Sequence, residues 1–245
     1  MKMAKVFRTT LNDNPDLMVE YNPNNIDAAR CNAMFTVEGG AAINGKPERL
    51  QELKDLGVRI FSLVWSEENE LAGGVNTDVG LKPAGIRTVQ ELERLGMILD
   101  VSHLNTKGFW QLCDIAKKPF IATHSNAIAV GPHARNLADD QVKEILTRGG
   151  IIGLTYCMPF IHARTDEDAS YDDMARQIEH MLNLGAENQL CLGSDFDGAK
   201  VPSAMNGIET MPAFIDFIEG KFGAPIAQKI SFENANNFFK NNWAF

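Results

Sequence analysis

The sequence predicts a parallel α/β fold, in which strands and helices alternate along the chain. One observation is that four apolar runs end in a residue that can bind a metal or move a proton: Glu38, His103, His124 and Asp195. The other is that amphipathic helices ending in glycine are repeatedly followed by continuous apolar runs, as expected for strands covered on both faces. Because the carboxyl ends of parallel strands open on one face, we expect these four side chains to meet there.

The elements follow in order from local patterns of apolar spacing, caps and glycine stops. Helices are predicted over the helix-like Met1–Tyr21, from Pro47 to Gly57, from about Ile86 to Gly96, at about 138–148, from the capping-box-like Ser170 to Gly185, and from about 211 to 240. Strands are predicted to end near Glu38, Trp65, His103, His124, Tyr156 and Asp195. A closed barrel of this type needs eight strands, so we expect the other two to precede residue 1.

The bulk composition is that of an ordinary globular protein. A length of 245 residues, with 44% hydrophobic and 22% charged residues, suits a single domain over 1–245. The net charge of −9 argues against binding nucleic acid through its phosphates. No apolar run approaches the roughly 20 residues that a membrane span requires, and the N-terminus has no secretory signal pattern.

The four cysteines predict a reducing compartment. Cys31, Cys113, Cys157 and Cys191 have no C-x-x-C spacing. Three of these four residues lie in apolar runs. We therefore interpret them as buried, reduced thiols, which is typical of a cytoplasmic protein. A disulfide or a cysteine metal site is the alternative.

Two histidines are the best candidates for a metal site. Zinc prefers imidazole nitrogens and carboxylate oxygens, and His103 and His124 end successive predicted strands. A single histidine at a strand end can equally be structural, but a pair with Glu38 and Asp195 on the same rim favours metal binding. The alternatives remain an exposed loop carboxylate for Glu38 and a simple Asp-Gly turn for Asp195.

Other candidate residues lie in loops. Arg135 follows the His124 strand, where its guanidinium could bind a substrate carboxylate with two hydrogen bonds, or could instead be a surface arginine. His133 is interpreted as a loop residue. His162 and His180 fall outside the strand-end pattern and are interpreted as structural.

Five motifs follow one another along the chain: Thr36-Val37-Glu38-Gly39-Gly40, Leu99-Asp100-Val101-Ser102-His103, Thr123-His124-Ser125-Asn126-Ala127, Arg135-Asn136-Leu137-Ala138-Asp139-Asp140 and Gly193-Ser194-Asp195-Phe196-Asp197-Gly198. In this order they resemble the membrane (renal-type) dipeptidase family, the M19 zinc peptidases, and especially its soluble bacterial members. The resemblance runs from about Asp27 to Trp243. Each motif alone is modest, but their order and spacing together are specific.

The resemblance implies a TIM-barrel-like (β/α)8 metallohydrolase fold with two zinc ions at the strand ends, and hydrolysis of dipeptides, including those with a C-terminal D-residue. By the same resemblance, Glu38 would bridge the two metals, and His103 and His124 would bind the second. Asp195 would lie beside the first metal and the bridging water, as a ligand and proton acceptor. Arg135 would hold the carboxylate of the dipeptide.

The sequence departs from the family pattern in two ways. It contains no His-x-Asp, the pair that in the family binds the first zinc on the first barrel strand. In addition, Trp65 occupies the position of a histidine that contacts substrate in renal-type members. We therefore expect the first one or two βα units to be missing, one complete zinc site, impaired turnover, and Trp65 as an aromatic wall of the substrate pocket. The open strand edges also suggest a homo-oligomer.

The sequence thus predicts a zinc metallodipeptidase. The alternative, from another class, is a catalytically silent or truncated homologue that binds one metal or a small carboxylate ligand. A different amidohydrolase-like barrel enzyme is disfavoured by the Asp-Phe-Asp-Gly and Arg-Asn motifs.

Overall fold

The structure is a computed structural model that describes residues 2–164 and 167–243. The α-helices are α1 Lys2–Asp13, α2 Leu50–Asp55, α3 Pro83–Leu95, α4 Thr106–Ile115, α5 Asp139–Thr147, α6 Met158–Ile161, α7 Tyr171–Asn183, α8 Met211–Phe222, α9 Ala224–Gln228 and α10 Asn234–Asn242. The strands are β1 Met18–Glu20, β2 Cys31–Ala33, β3 Phe35–Val37, β4 Val58–Ser62, β5 Ile98–Asp100, β6 Ile152–Thr155 and β7 Leu190–Ser194. Short 3-10 segments lie at Gly40–Ile43, Pro47–Arg49, Ala186–Asn188, Ser203–Met205 and Ile208–Thr210, and a π-helical turn lies at Lys229–Glu233.

The neighbouring strands among the described residues pair in parallel, which confirms the predicted α/β class. β1 pairs with β2, β4 lies between β3 and β5, and β6 pairs with β7. Parallel neighbours need a crossover connection, and α2 and α3 lie in the crossovers from β3 to β4 and from β4 to β5. Both β5 and β6 are buried along their whole length.

The described residues fall into two compact units. The first comprises 2–100, 104–117 and 239–243, and the second comprises 101–103, 118–164 and 167–238. In the first unit, helices α2 and α3 pack on the sheet of β3, β4 and β5, and Leu50, Phe61 and Leu92 are almost fully buried there. The single domain expected over 1–245 stays a prediction.

In the second unit, a segment at 120–122 extends the ladder formed by β6 and β7. The amide of Gly153 donates to the carbonyl of Ala122 over 2.8 Å, and the amide of Val101 donates to the carbonyl of Ile121 over 2.8 Å. Four chain segments therefore run side by side in this unit. Their carboxyl ends lie at one edge of the ladder.

Most predicted helix ends are confirmed by the backbone. Gly96 follows α3 with φ 67°, a left-handed conformation that glycine adopts without strain. Ser170 caps α7, because its hydroxyl accepts from the amide of Asp173 and the Asp173 carboxylate accepts from the amide of Ser170. This reciprocal capping box was readable from the residues at positions 170 and 173.

The N-terminal prediction was wrong in part. Met1 lies outside the described residues, and the helix predicted to Tyr21 ends at Asp13, where Asn14 precedes Pro15 and so disfavours a helical conformation. The following residues form β1, whose hydrogen bonds come from β2 more than ten residues further on. Such non-local pairing leaves no periodic signal in a three-residue strand.

Three further differences concern the middle of the chain. No helix was predicted between His103 and Phe120, but α4 forms there with Asn105 as its N-cap. The strand expected to end at His124 has only an isolated parallel bridge between Ala122 and Ile152. The strand expected near Trp65 ends at Ser62, three residues earlier.

All four cysteines are free thiols. Cys157 and Cys191 are buried as predicted, but Cys31 is exposed on β2 and Cys113 is half-buried. None of the helices within the described ranges is both long and apolar enough to span a membrane.

Candidate metal centre

Two histidines lie at the carboxyl edge of the second unit's ladder. His103 comes three residues after β5, and His124 comes two residues after the segment at 120–122. The backbone hydrogen bond from Val101 to Ile121 holds these two segments side by side. The histidines are 7% and 9% exposed, so both rings are shielded from bulk solvent. The structure therefore brings this predicted pair together.

The two imidazoles turn the same nitrogen toward each other. Their Nε2 atoms are 3.1 Å apart, and the ring planes are inclined at 60°. Two ligands at 2.0–2.1 Å from a tetrahedral zinc are separated by roughly 3.4 Å. The pair therefore fits a shared zinc ion with only a small adjustment.

Hydroxyl groups surround the ring of His124. Thr123 Oγ1 lies 2.8 Å from His124 Nδ1 and 3.1 Å from the hydroxyl oxygen of Ser102. The backbone amide of His124 donates to that same Ser102 oxygen over 3.1 Å. The ring and the backbone of His124 are thus both tied to this pair of hydroxyl groups.

Arg135 is buried rather than superficial, with only 3% of its surface exposed. Its Nη1 donates to Ser125 Oγ over 2.8 Å, and its Nη2 donates to the carbonyl of His124 over 2.9 Å. The alternative of a surface arginine is therefore wrong. The guanidinium is fixed in the second unit directly against the backbone of His124.

The other three histidines have structural contacts. His133 Nδ1 accepts from the amide of Arg135, and its ring lies 4.4 Å from that of Phe160. Burial, together with the charge of Arg135, lowers the pKa of His133. His162 Nδ1 accepts a hydrogen bond from the backbone amide of Arg164. His180 Nε2 lies 2.8 Å from an Asp139 carboxylate oxygen.

Asp195 follows β7 in a turn of unusual backbone conformation. Ser194, Asp195 and Asp197 all have positive φ, of 20°, 74° and 63°. Non-glycine residues seldom adopt this conformation, and it is concentrated at functional sites. The Asp195 carbonyl accepts hydrogen bonds from the amides of Gly198 and Ala199, which hold the turn.

Cys157 links Asp195 and Arg135 electrostatically. Burial and the charge of the Asp195 carboxylate together raise the pKa of the Cys157 thiol to about 11, although the Arg135 guanidinium opposes the change. Both charges therefore act on one buried thiol beyond the end of β6. The second unit gathers the acid and the arginine at the same edge as the two histidines.

Glu38 and Trp65 belong to the first unit. Glu38 directly follows β3 and is exposed, and the next residue, Gly39, has φ 87°. A side chain at Gly39 would lie 3.6 Å from Trp65 Cβ, because β3 and β4 are neighbours and their ends meet. Trp65 is 58% exposed, which leaves its indole accessible.

The sequence did not predict that the hydroxyls of Ser102 and Thr123 contact His124. It also did not predict that Cys157 lies within electrostatic reach of Asp195. The signal for the first two was their position directly before each candidate histidine. Nothing local distinguished Cys157 from the other cysteines in apolar runs.

The chain is similar to known proteins over most of its length. The family model described as "Membrane dipeptidase (Peptidase family M19)" matches residues 1–241. A protein of Klebsiella pneumoniae, described as uncharacterized in the pqqA 5′ region, is 33% identical over 218 residues, covering 84% of this chain and 80% of its own. The chain spans only 45% to 50% of the length of several fungal dipeptidases that it matches.

Two solved structures are similar. A metallo peptidase from Rhodobacter sphaeroides, liganded with a phosphinate mimic of the dipeptide L-Ala-D-Ala, is 31% identical with a TM-score of 0.84, covering 88% of this chain and 64% of its own. A structure described as dipeptidase AC, of family M19, is 28% identical with a TM-score of 0.92, covering 99% and 76%. These likenesses confirm the predicted TIM-barrel-like metallohydrolase fold class.

Proposed function

Because the chain belongs to the membrane dipeptidase family, peptidase family M19, we propose that it is a zinc-dependent dipeptidase. The observation that carries the proposal is the Nε2-to-Nε2 distance of 3.1 Å between His103 and His124. Both rings present the atom that binds zinc, at a separation close to that of two zinc ligands.

From the family resemblance, we propose Glu38, His103 and His124 as the ligands of one zinc ion, and Asp195 as a ligand at the site of the other zinc. Each of the first three offers one atom that suits a metal ion, and imidazole with carboxylate is a typical zinc donor set. Zinc held there would supply Lewis-acid activation of water and of the scissile carbonyl.

The second proposed role of Asp195 is that of proton acceptor. A carboxylate at the end of β7 can take a proton from the attacking water and pass it to the leaving amine. The strained turn supports this role. Its left-handed backbone conformation at Asp195 fixes the position of the Cα–Cβ bond, and strain of this kind is concentrated at functional sites.

Arg135 is proposed to bind the carboxylate of the dipeptide. Its Nη1 and Nη2 donate to Ser125 and His124, which hold the guanidinium in a fixed position. Because these contacts already hold the guanidinium in one orientation, it would lose little conformational entropy on binding the substrate carboxylate. Trp65 is proposed as an apolar wall for a substrate side chain, consistent with its 58% exposure.

The ligand of the Rhodobacter relative suggests the substrate class. That protein was solved with a mimic of L-Ala-D-Ala. We propose that this chain likewise acts on small dipeptides, including those with a C-terminal D-residue. A reducing, cytoplasmic setting is part of the proposal and is supported by the four free thiols.

A second candidate function is binding without turnover. The sequence contains no His-x-Asp, the pair assigned by the resemblance to a first zinc. A chain with one zinc could then bind a dipeptide or another small carboxylate and hydrolyse it slowly or not at all.

One experiment separates the two functions. The chain is loaded with zinc, and hydrolysis of L-Ala-D-Ala and L-Ala-L-Ala is followed together with binding of a phosphinate dipeptide mimic. Zinc-dependent hydrolysis that disappears in His103→Ala but persists in His180→Ala supports the dipeptidase. Tight binding of the mimic without hydrolysis supports the second function, and absence of both contradicts the two proposals.

A further inference from the structure

We propose that Thr123 and Ser102 are positioning residues that set the tautomer of His124, so that Nε2 keeps the lone pair needed by a metal. The inference rests on the proposed function, because it assigns a role to groups behind a proposed zinc ligand. It concerns a hydrogen-bond relay that the sequence patterns did not indicate.

The first step is the chemistry of the ring. A neutral imidazole has one protonated and one unprotonated nitrogen, and only the unprotonated nitrogen can bind zinc. The Nε2 atom of His124 faces Nε2 of His103 at 3.1 Å, so Nε2 is the metal-facing atom. For His124 to bind a metal through Nε2, its proton must lie on Nδ1.

The second step is the partner of Nδ1. Thr123 Oγ1 lies 2.8 Å from His124 Nδ1, a normal hydrogen-bond distance. Because a hydroxyl oxygen can accept this N–H, the contact stabilises the required tautomer. Outer partners of this kind commonly fix the orientation of a metal-binding histidine.

The third step concerns the proton of the Thr123 hydroxyl. Its own hydroxyl proton can go to Ser102 Oγ, 3.1 Å away. The same Ser102 oxygen accepts from the backbone amide of His124 over 3.1 Å, which fixes its position. In the relay that we propose, the Thr123 hydroxyl donates to Ser102 Oγ and its oxygen accepts from His124 Nδ1.

Burial makes the relay effective. Ser102 is 2% exposed and His124 is 9% exposed, so water competes weakly for these groups. A hydrogen bond in such surroundings is stronger than in water, and a broken one is costly. Loss of the Thr123 hydroxyl should therefore release the ring to the other tautomer.

The test uses Thr123→Val, which keeps the shape and removes the hydroxyl. Thr123→Ser restores the hydroxyl. Thr88→Val is the matched control, because Thr88 is fully buried and its hydroxyl donates only within α3, to the carbonyl of Ala84. Thermal melts of all three variants check that each is folded.

Two measurements are made on each variant. Nitrogen-15 NMR of the zinc-free protein, with His124 assigned through His124→Gln, reports which ring nitrogen is protonated. Competition with a chromogenic chelator gives the affinity for zinc. We expect Thr123→Val to lose the Nδ1-protonated signal and to bind zinc about 10–100-fold more weakly, while Thr123→Ser and Thr88→Val resemble the wild type.

The outcomes separate this inference from the proposed function. A wild type that binds no zinc would contradict the proposed function, and the NMR signal would still decide the inference. An unchanged Nδ1-protonated His124 in folded Thr123→Val would overturn the inference, whatever its zinc affinity.

Discussion

His103 and His124 are 21 positions apart in the sequence, yet their Nε2 atoms lie 3.1 Å apart. Parallel neighbouring segments produce this proximity, because the chain returns to the same edge after each crossover. The crossover here contains α4, and the return segment is held by the hydrogen bond from Val101 to Ile121.

We predict that the zinc content of the protein depends on both His103 and His124. We expect about one tightly held zinc per chain after dialysis, and His103→Ala should lose most of it, because only His124 and Glu38 of that ligand set would remain. Elemental analysis measures the content. His180→Ala is the control, since His180 contacts Asp139 away from the pair. Two equivalents that resist mild chelation would contradict the expected single site.

Asp195→Asn should abolish most dipeptide turnover while leaving substrate binding nearly unchanged. Asparagine tolerates the left-handed backbone at this position but cannot accept the proton. Loss of such a group typically costs 10²–10⁴-fold in kcat. Steady-state kinetics with zinc measure the change. Asp197→Asn is the control, because Asp197 shares the turn and the positive φ and is exposed. Equal losses in both variants would assign the effect to the turn.

Arg135→Ala should raise KM for dipeptides more than it lowers kcat, and should also destabilise the fold. The variant leaves the carbonyl of His124 and the hydroxyl of Ser125 without a charged donor, which we expect to cost roughly 1.5–3 kcal/mol. Urea unfolding and steady-state kinetics test the two effects. Arg94→Ala should change little, because the Arg94 side chain is 63% exposed and pairs with Glu91 at the surface. Equal stability of the two variants would contradict the prediction.

Asp173 predicts an acid-dependent loss of stability. Burial opposes ionisation of this carboxyl, but hydrogen bonds from Ser170 and Arg164 outweigh it and lower the pKa to about 2. Since the folded pKa is below the ordinary value of 3.8, the stabilisation is complete above pH 3.8 and is lost as the pH falls through about 2. It amounts to about 2 kcal/mol at neutral pH.

Asp173→Asn should therefore lower the free energy of unfolding at pH 7, and its difference from the wild type should shrink toward pH 2. Urea titrations across this range give the values. Asp172→Asn is the neighbouring control, because the side chain of Asp172 is 64% exposed and pairs with Lys221. A difference for Asp173→Asn that stays constant with pH would contradict the assignment.

The cysteine thiols should be alkylated in the order of their solvent exposure. Cys31 is exposed, whereas burial raises the pKa of Cys157 to about 11 and that of Cys191 to about 12. Because the thiolate is the reactive form, brief alkylation of the native protein should modify Cys31 and spare the two buried thiols. Mass spectrometry locates the adducts, and unfolding in urea should make all sites reactive. Early labelling of Cys191 would contradict the burial.

The sequence by itself determined the alternation of strands and helices and the rim positions of the candidate site. Short-range chemistry explains this success. Gly96 ends α3, Ser170 caps α7, and His103 and His124 follow apolar segments, so each feature depends on neighbours within a few residues. Even the helix missed by the sequence analysis, α4, begins at a recognisable cap, Asn105.

Only the tertiary structure decided which groups surround these positions. The strand β1 exists because distant residues of β2 supply its hydrogen bonds, and Arg135 is buried because His124 and Ser125 accept from it. The contact of Thr123 with both Ser102 and His124 likewise needs two adjacent segments. Hydrogen bonds between residues far apart in the chain leave no local periodicity, so they are visible only once the chain has folded.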